Sequence, residues 1–350
     1  MRSIRLLIIP FVLLMAVSNC RKNEPCTTCP PSEPDTTSHS ISWRVDTLGT
    51  YSSYLFDVWG PGSSDLYAVG YLRAEGASRD AYISQYDGIR WNARPDSILS
   101  FGLQAGGLQG IHGLSSNNMV VVGASYNSIL FKGFAAIWNG SAWHDISPPN
   151  SMGLNSVWMK SSNDIYAVGE GGTLLRFDGA KWDSLPSPTD LAILRLVGVP
   201  TGELFAVAAD YANYLTGSVI LRISGTTVDV EKIIPGRRLF SIWGQSSSNL
   251  YAVGDGVFHR DDQGVWSEVN VNRSNTALFA VNGTKDSDIL LAGAYQLILH
   301  WNGNSWYEYS DLFQGSSSII LEQVIGFPDG YTIVGQTGSY AIVLRGTRIN

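Results

Sequence analysis

Few side chains in this sequence have the types and spacing that chemistry demands. Cleavage of an acidic glycan by a tyrosine nucleophile would need an arginine cluster for the carboxylate, an acidic partner for the tyrosine and a separate general acid. Arginines stand at Arg176, Arg222, Arg237, Arg238 and Arg345. Yet Arg176, Arg222, His259 and His300 hold similar places ahead of successive turn signals, as a repeated scaffold position would. Asp65, Asp164 and Asp288 recur just as regularly before apolar runs, which reads as turn chemistry rather than a general acid/base set. The five histidines (His39, His112, His144, His259 and His300) include no pair with metal-ligand spacing. Asp261-Asp262 and Asp286-Ser287-Asp288 lack the alternating-oxygen loop of a calcium site. There is no Gly-x-Ser-x-Gly elbow and no glycine-rich phosphate loop with a lysine. No cofactor and no metal are expected.

Composition narrows the class further. The 350 residues carry 23 Lys+Arg against 30 Asp+Glu, a formal charge of −7 that speaks against a nucleic-acid partner. A hydrophobic content of 44% supports a large core and excludes wholesale disorder. Three cysteines cannot staple a chain of this length.

The first residues read as an address. Arg2 and Arg5 precede an apolar run, Leu6 to Val17, too short to span a bilayer as a stable helix. Val17-Ser18-Asn19-Cys20 resembles a bacterial lipobox, which implies cleavage after residue 19 and lipidation (palmitate among the acyl chains) of Cys20. Such a lipid would be the only membrane contact. Arg21 is not the Asp that commonly retains lipoproteins at the inner membrane, so the resemblance implies an outer-membrane address in the cell envelope. Removing the leader takes two arginines and no acid, leaving 21 basic against 30 acidic residues, a charge of −9. Residues 20–40, rich in Pro, Ser and Thr, read as a flexible linker. Its Cys26-Thr27-Thr28-Cys29 has redox-motif spacing without the strand-turn-helix context that a redox site needs.

The elements that must position any site come from a repeat. FDVWGPGSSDLYAVG (residues 56–70), NSVWMKSSNDIYAVG (155–169) and FSIWGQSSSNLYAVG (240–254) each place a Trp 11 residues before a closing Gly. Weaker copies run from His112 to Gly123, Val197 to Ala208, Asn282 to Gly293 and Val324 to Gly335. Closing positions 39 to 53 residues apart, with several short strands per unit, mark propeller blades. A second signal follows, an aromatic, then Asp-Gly or Asn-Gly, then a Trp: Tyr86-Asp87-Gly88 to Trp91, Trp138-Asn139-Gly140 to Trp143, Phe177-Asp178-Gly179 to Trp182, Trp301-Asn302-Gly303 to Trp306, and a degenerate Asp261-Asp262-Gln263-Gly264 to Trp266. These pairs predict tight two-residue hairpins with both central residues at positive φ. Each unit is therefore four antiparallel strands: A with the first Trp, B with LYAVG, C ending at the aromatic, D with the second Trp. Seven units demand seven Trp-bearing D strands, but the last has no residues left for one. Ile41-Ser42-Trp43-Arg44-Val45 reads as that missing strand, so the N-terminal strand closes the last blade and no sheet edge stays open. The fold is all-β, a seven-bladed β-propeller over residues 41–350; six blades with an irregular end is the structural alternative.

The W-G-x-S-S-x-D-x-Y-A-V-G and Y-D-G-x-x-W pattern resembles a repeat of exported bacterial β-propellers, distantly similar to the Asp-box sialidase-type and photosystem-assembly-factor propellers. Only the Asp-Gly-and-Trp core of an Asp-box is present. The resemblance implies a scaffold, which serves enzymes and binding platforms alike.

Units differ most in their B–C connections, expected on one face beside the axial channel. Those of units three and five are minimal (Glu170-Gly171-Gly172 and Asp255-Gly256). Units one, two and four insert Tyr71 to Asp80, Ala124 to Gly133 and Ala209 to Gly217. Insertions on one face mark a binding face. The candidate ligand contacts are Tyr71, Arg73, Arg79, Tyr126, Asn127, Lys132, Tyr211, Asn213 and Tyr214, rigid aromatics with adaptable polar groups. The function expected is a monomeric, lipid-anchored binding or scaffolding module for a protein or glycan partner, with no catalytic residue. A glycan-active enzyme, sialidase-like or another glycosidase with its site at the axial channel, is the alternative, and help in assembling an envelope complex is a third.

Overall fold

The computed structural model describes residues 36–73, 80–94, 107–127, 130–271, 276–310, 312–313 and 318–349. The leader, Cys20, Cys26, Cys29 and Arg79 lie outside the described residues, as do the side chains of Tyr126, Asn127 and Tyr214.

Seven four-stranded antiparallel sheets account for the described strands. Blade one comprises β2 (Tyr54–Gly62), β3 (Asp65–Leu72), β4 (Ala81–Tyr86) and β5 (Trp91–Ala93). Blade two comprises β6 (Leu108–Ser115), β7 (Asn118–Asn127), β8 (Leu130–Trp138) and β9 (Trp143–Asp145). Blade three follows with β10 (Leu154–Ser161), β11 (Asp164–Gly169), β12 (Leu174–Phe177) and β13 (Trp182–Ser184). Blade four holds β14 (Ala192–Gly198), β15 (Leu204–Ala209), β16 (Ser218–Ser224) and β17 (Thr227–Ile234). Blade five holds β18 (Leu239–Ser246), β19 (Asn249–Gly254), β20 (Val257–Arg260) and β21 (Trp266–Val269). Blade six holds β22 (Leu278–Lys285), β23 (Asp288–Gly293), β24 (Ile298–Trp301) and β25 (Trp306–Glu308). In blade seven, β26 (Ile320–Phe327), β27 (Gly330–Gln336) and β28 (Ala341–Arg348) are completed by β1 (Ile41–Leu48) from the other end of the chain. The closing pair runs in unbroken register from Ile41 opposite Arg348 to Leu48 opposite Ala341, with Trp43 opposite Gly346.

The LYAVG strands do not alternate because their two faces serve two different seams. In β3, Tyr67 and Val69 pack against blade two, while Ala68 packs against blade seven. In β7, Met119 and Val121 face blade one, and Val120 and Val122 face blade three. Apolar clusters of this kind fill the seams between successive blades all the way round, including the seam between blades seven and one. Each fully buried Val or Leu contributes about 1.5–3 kcal/mol, so the core is a ring of seams rather than a central ball.

The A-strand tryptophans belong to the same scheme. Trp59, Trp158 and Trp243 lie so close over Gly113, Gly198 and Gly283 of the following blade that a Cβ there would fall 2.7, 2.3 and 2.7 Å from the indole. Tryptophan therefore alternates with other residues at this position: blades one, three and five have it, and blades two, four and six carry His112, Val197 and Asn282.

Three local expectations need correction. The Asp-Gly and Asn-Gly C–D turns are four-residue loops rather than two-residue hairpins: Tyr86 pairs with Trp91, Trp138 with Trp143, Phe177 with Trp182 and Trp301 with Trp306. Only the glycine takes positive φ, 91° at Gly88 and 91° at Gly140. The preceding Asp or Asn instead caps the loop, as Asp87 Oδ1 does by accepting from the Ile89 and Arg90 N–H groups at 2.9 Å each. Blade four has no tryptophan on its D strand; Val228 stands opposite Ile223 there. In blade seven the A-strand equivalent of Trp59 is Ile325, not Val324, because blade seven lacks the bulge that blade one has between Trp59 and Gly62.

Candidate functional site

Each A strand begins with the same irregularity. One residue is bulged between the closing-glycine pair and the next pair: Phe56, Gln109, Asn155, Leu194, Phe240, Phe279 and Glu322 in blades one to seven. A bulge re-aims a side chain at the rim of a sheet. Seven in register make a ring of rim side chains with the chemical order Phe, Gln, Asn, Leu, Phe, Phe, Glu.

This ring opens into a cavity of about 1020 Å³. Its walls include Phe56, Gln109, Asn155, Phe279 and Glu322 from the bulges, Lys132, Glu170 and Tyr211 from B–C connections, and residues 149–153 from the link between blades two and three. Below it the next residues along the A strands, among them Asp57, Ser156, Arg195, Ser241 and Gln323, line an axial cavity of about 210 Å³. The Arg195 guanidinium reaches across that channel from blade four to Asp57 of blade one at 3.1 Å. Asp57, 5% exposed, also accepts the Val58 and Ile111 N–H groups at 2.9 and 3.0 Å. Burial pushes its carboxyl up, and Arg195, the two N–H groups and Gln323 act against that. The channel is thus stoppered by a buried ion pair, and the larger cavity is a cup at its mouth.

Two aromatic shelves flank the cup. Tyr211, 57% exposed, stacks on Phe240 at 5.6 Å and 14°, and Phe240 packs on Phe279 at 5.1 Å. On blade one, Tyr54 lies 5.0 Å from Phe56 and 5.6 Å from Tyr71. Burial pushes the Tyr211 phenol up to about 12, with Arg195 acting against the rise and Glu322 and Glu170 adding to it. Asn155 donates to Glu170 at 3.0 Å, and Gln336 donates to Glu322 at 3.3 Å. Burial raises the Glu322 carboxyl despite that bond and the pull of Arg195.

Of the residues singled out from sequence, Lys132 and Tyr211 line this cup. Tyr71 stands at its edge, its hydroxyl donating to Asp80 at 2.7 Å, a bond that with burial pushes the phenol up to about 12. Arg73 is exposed and its backbone N–H is held by Ser53 at 2.9 Å. Asn213 caps a short 3₁₀ turn, accepting the Leu215 N–H at 3.1 Å, and Tyr214 lies within that turn. Tyr126 and Asn127 sit on the extended β7–β8 hairpin, Tyr126 opposite Phe131 and Asn127 opposite Leu130. The bulged Phe56, Gln109, Asn155, Phe279 and Glu322 were not singled out. Their signal was available in the sequence: each lies three residues before the A-strand Trp or its equivalent, at the first position of the repeated segment.

No protein-family model matches the sequence, and no curated protein matches it. Solved structures do. A YCF48 bound to D1 peptide superposes with a TM-score of 0.67 at 16% identity, covering 92% of this chain and 99% of that one. Virginiamycin B lyase from Staphylococcus aureus gives 0.66 at 13% identity over 88% and 100%. The GH74 xyloglucanase from Xanthomonas campestris gives 0.62 at 13% identity, over 85% of this chain and 52% of that one. The matches include enzymes and non-enzymes alike, and at these identities they establish one property, that the chain folds as a β-propeller.

Proposed function

We propose that the chain is a peptide-binding module of the cell envelope, anchored by lipid on Cys20, that seats a segment of a partner protein in the cup over its axial channel. The observation that carries this reading is the cup itself: about 1020 Å³, walled by aromatic shelves on blades one and four to six, and stoppered below by Asp57–Arg195. That volume reaches the top of the range for small-molecule sites, and one open side suits a chain segment better than an enclosed small ligand. The peptide complex of a structurally similar propeller supports the same choice. Both carboxylates in the cup, Glu170 and Glu322, are engaged by side-chain amides, which suits recognition more than proton transfer.

Selection of a random dodecapeptide display library on the propeller tests the reading. Binders should be enriched, and Phe56→Ala with Phe279→Ala should abolish their capture while thermal stability is retained. No enrichment that depends on these two residues overturns it. Turnover of chromogenic glycosides lost in Glu170→Gln or Glu322→Gln would replace it with a glycan-active enzyme. Anchoring and the outer-membrane address rest on Leu6 to Val17, Cys20 and Arg21. Labelled palmitate should enter the wild type and not Cys20→Ala.

A further inference from the structure

The chemistry of the occupant follows from the order of side chains round the rim. Glu322 is the acidic member of the bulge ring, and the sevenfold register sets it between Phe279 of blade six and Phe56 of blade one. A carboxylate between two aromatic rings, with a third aromatic, Tyr211, in the same cup, is an arrangement that attracts an organic cation through both charge and ring faces. The other charges in and beneath the cup do not cancel it. Asp57 and Arg195 neutralise one another, and Lys132 and Glu170, of opposite charge, both line the cup. Among the described residues, Gln336 is the hydrogen-bond donor to Glu322, through its amide. Burial that raises its carboxyl means that an arriving cation would relieve an existing cost.

We infer that the cup selects a partner segment by one basic side chain, an arginine or lysine, inserted between Phe56 and Phe279 against Glu322. This rests on the peptide-binding reading and narrows it. The exposed mouth and the acidic balance of the chain favour a side chain delivered on an extended peptide over a free small cation.

The test uses peptides recovered from the display library, each synthesised in pairs that differ in one residue, arginine or its neutral isostere citrulline. Binding is read by fluorescence anisotropy at low and physiological salt. The arginine member should bind at least tenfold tighter, and Glu322→Gln should reduce that ratio below threefold. Glu322→Lys, should the amide variant bind nothing, should reverse the preference toward glutamate at the same position. Library binders that depend on Phe56 and Phe279 but tolerate citrulline equally would overturn the basic side chain and leave peptide binding standing. A preference for arginine that persists in Glu322→Gln would overturn the assignment of Glu322. Tight capture of free arginine amide in competition at equal concentration would overturn peptide delivery.

Discussion

His39 and His300, 261 residues apart in sequence, meet Nδ1 to Nδ1 at 2.9 Å. The order of hydrogens between them follows from their outer partners. The Asp288 carboxylate can only accept, so His300 donates its Nε2–H there, at 2.8 Å, which in a neutral imidazole leaves Nδ1 as the acceptor. His39 must then donate from Nδ1, which leaves its Nε2 to accept from the Ser305 hydroxyl at 3.3 Å. Thr37 adds a hydroxyl bond to the Ser287 carbonyl at 3.0 Å, and its backbone N–H one to Asn302 at 3.0 Å. Five residues expected to be linker, 36–40, are thereby held on blade six before the closing strand begins.

His300→Ala should loosen that segment more than His39→Ala. His300 is fully buried and its loss strips a partner from Asp288, at a cost of about 1–3 kcal/mol, whereas His39 is partly exposed. Hydrogen exchange at the Thr37 amide should quicken in both variants, with global unfolding by denaturant shifted measurably only in His300→Ala. Equal global losses would mean that the two histidines do not form an ordered chain of this kind.

Closure depends on a tight contact at the seam of the two termini. A Cβ at Gly346 would fall 2.7 Å from Ile41 Cγ2 and 2.8 Å from the Trp43 ring. Gly346→Ala should therefore cost about 1–3 kcal/mol through overpacking. Trp43→Leu in the same chain should recover part of that loss although it is destabilising alone. Additive losses in the double-mutant cycle would show that the clash does not govern the effect.

The blades were legible in the sequence because every repeat must satisfy the same two seams, so Trp59, Trp158 and Trp243 and their glycines recur at fixed spacing. Trp43 was legible as a closing strand for the same reason. The turn geometry was not: Asp87-Gly88 has the composition of a two-residue hairpin, and only the pairing of Tyr86 with Trp91 reveals the longer loop. The cup was hidden for a different reason. Phe56, Gln109, Asn155 and Glu322 occupy one structural position but share no chemistry, and a repeat search discards positions where the copies disagree. Binding residues are expected at just such positions, where a common backbone presents unlike side chains.

The channel stopper gives a prediction of unequal losses. Arg195→Met leaves the Asp57 carboxylate buried without its cation and should cost about 3–5 kcal/mol at neutral pH. Asp57→Asn with Arg195→Met should be less destabilising than Arg195→Met alone, since no charge is then left buried, although the amide oxygen can accept from only one of the Val58 and Ile111 N–H groups, which meet different carboxylate oxygens. Urea unfolding of the two variants beside the wild type checks the order. Equal losses would mean that Asp57 carries no charge in the folded wild type.

Stability should fall as pH is lowered through the histidine range. Burial pulls the His112 imidazole down to about 3, and burial and then His300 lower His39. The unfolded chain therefore binds protons first, near pH 6.5, and stability is lost below that point by up to about 1.4 kcal/mol per pH unit for each such group. Asp288 adds a loss of the same sign below about pH 4. Burial alone would raise its carboxyl, but hydrogen bonds from His300, Thr284 and Arg348 outweigh that and hold it low. His112→Asn isolates one group. His112 Nδ1 accepts the Met159 N–H at 3.1 Å, and Asn282, at the same position in blade six, accepts the Gly326 N–H at 3.0 Å. The variant should keep the bond and flatten the slope between pH 6.5 and 4; an unchanged slope would assign it elsewhere.

Blade six carries a strained turn that blade three resolves with glycine. Tyr295 and Gln296 sit at φ 54° and 59°, where the corresponding Gly171 and Gly172 take 60° and 69°. The hydrogen bonds match: Gly293 donates to Leu297 at 3.0 Å, as Gly169 does to Thr173 at 2.9 Å. Left-handed backbone costs a non-glycine residue about 1–2 kcal/mol, and Tyr295 is 67% exposed, so its ring recovers little by packing. Tyr295→Gly should thus be neutral or stabilising by up to about 1 kcal/mol, after the entropy that glycine adds to the unfolded chain. The reverse change in blade three, Gly171→Tyr, should destabilise by more than that, because a Cβ there also meets Met152 Sδ at 2.8 Å. Thermal unfolding of the two variants decides it. A clear loss in Tyr295→Gly would mean that the exposed ring holds the turn rather than straining it.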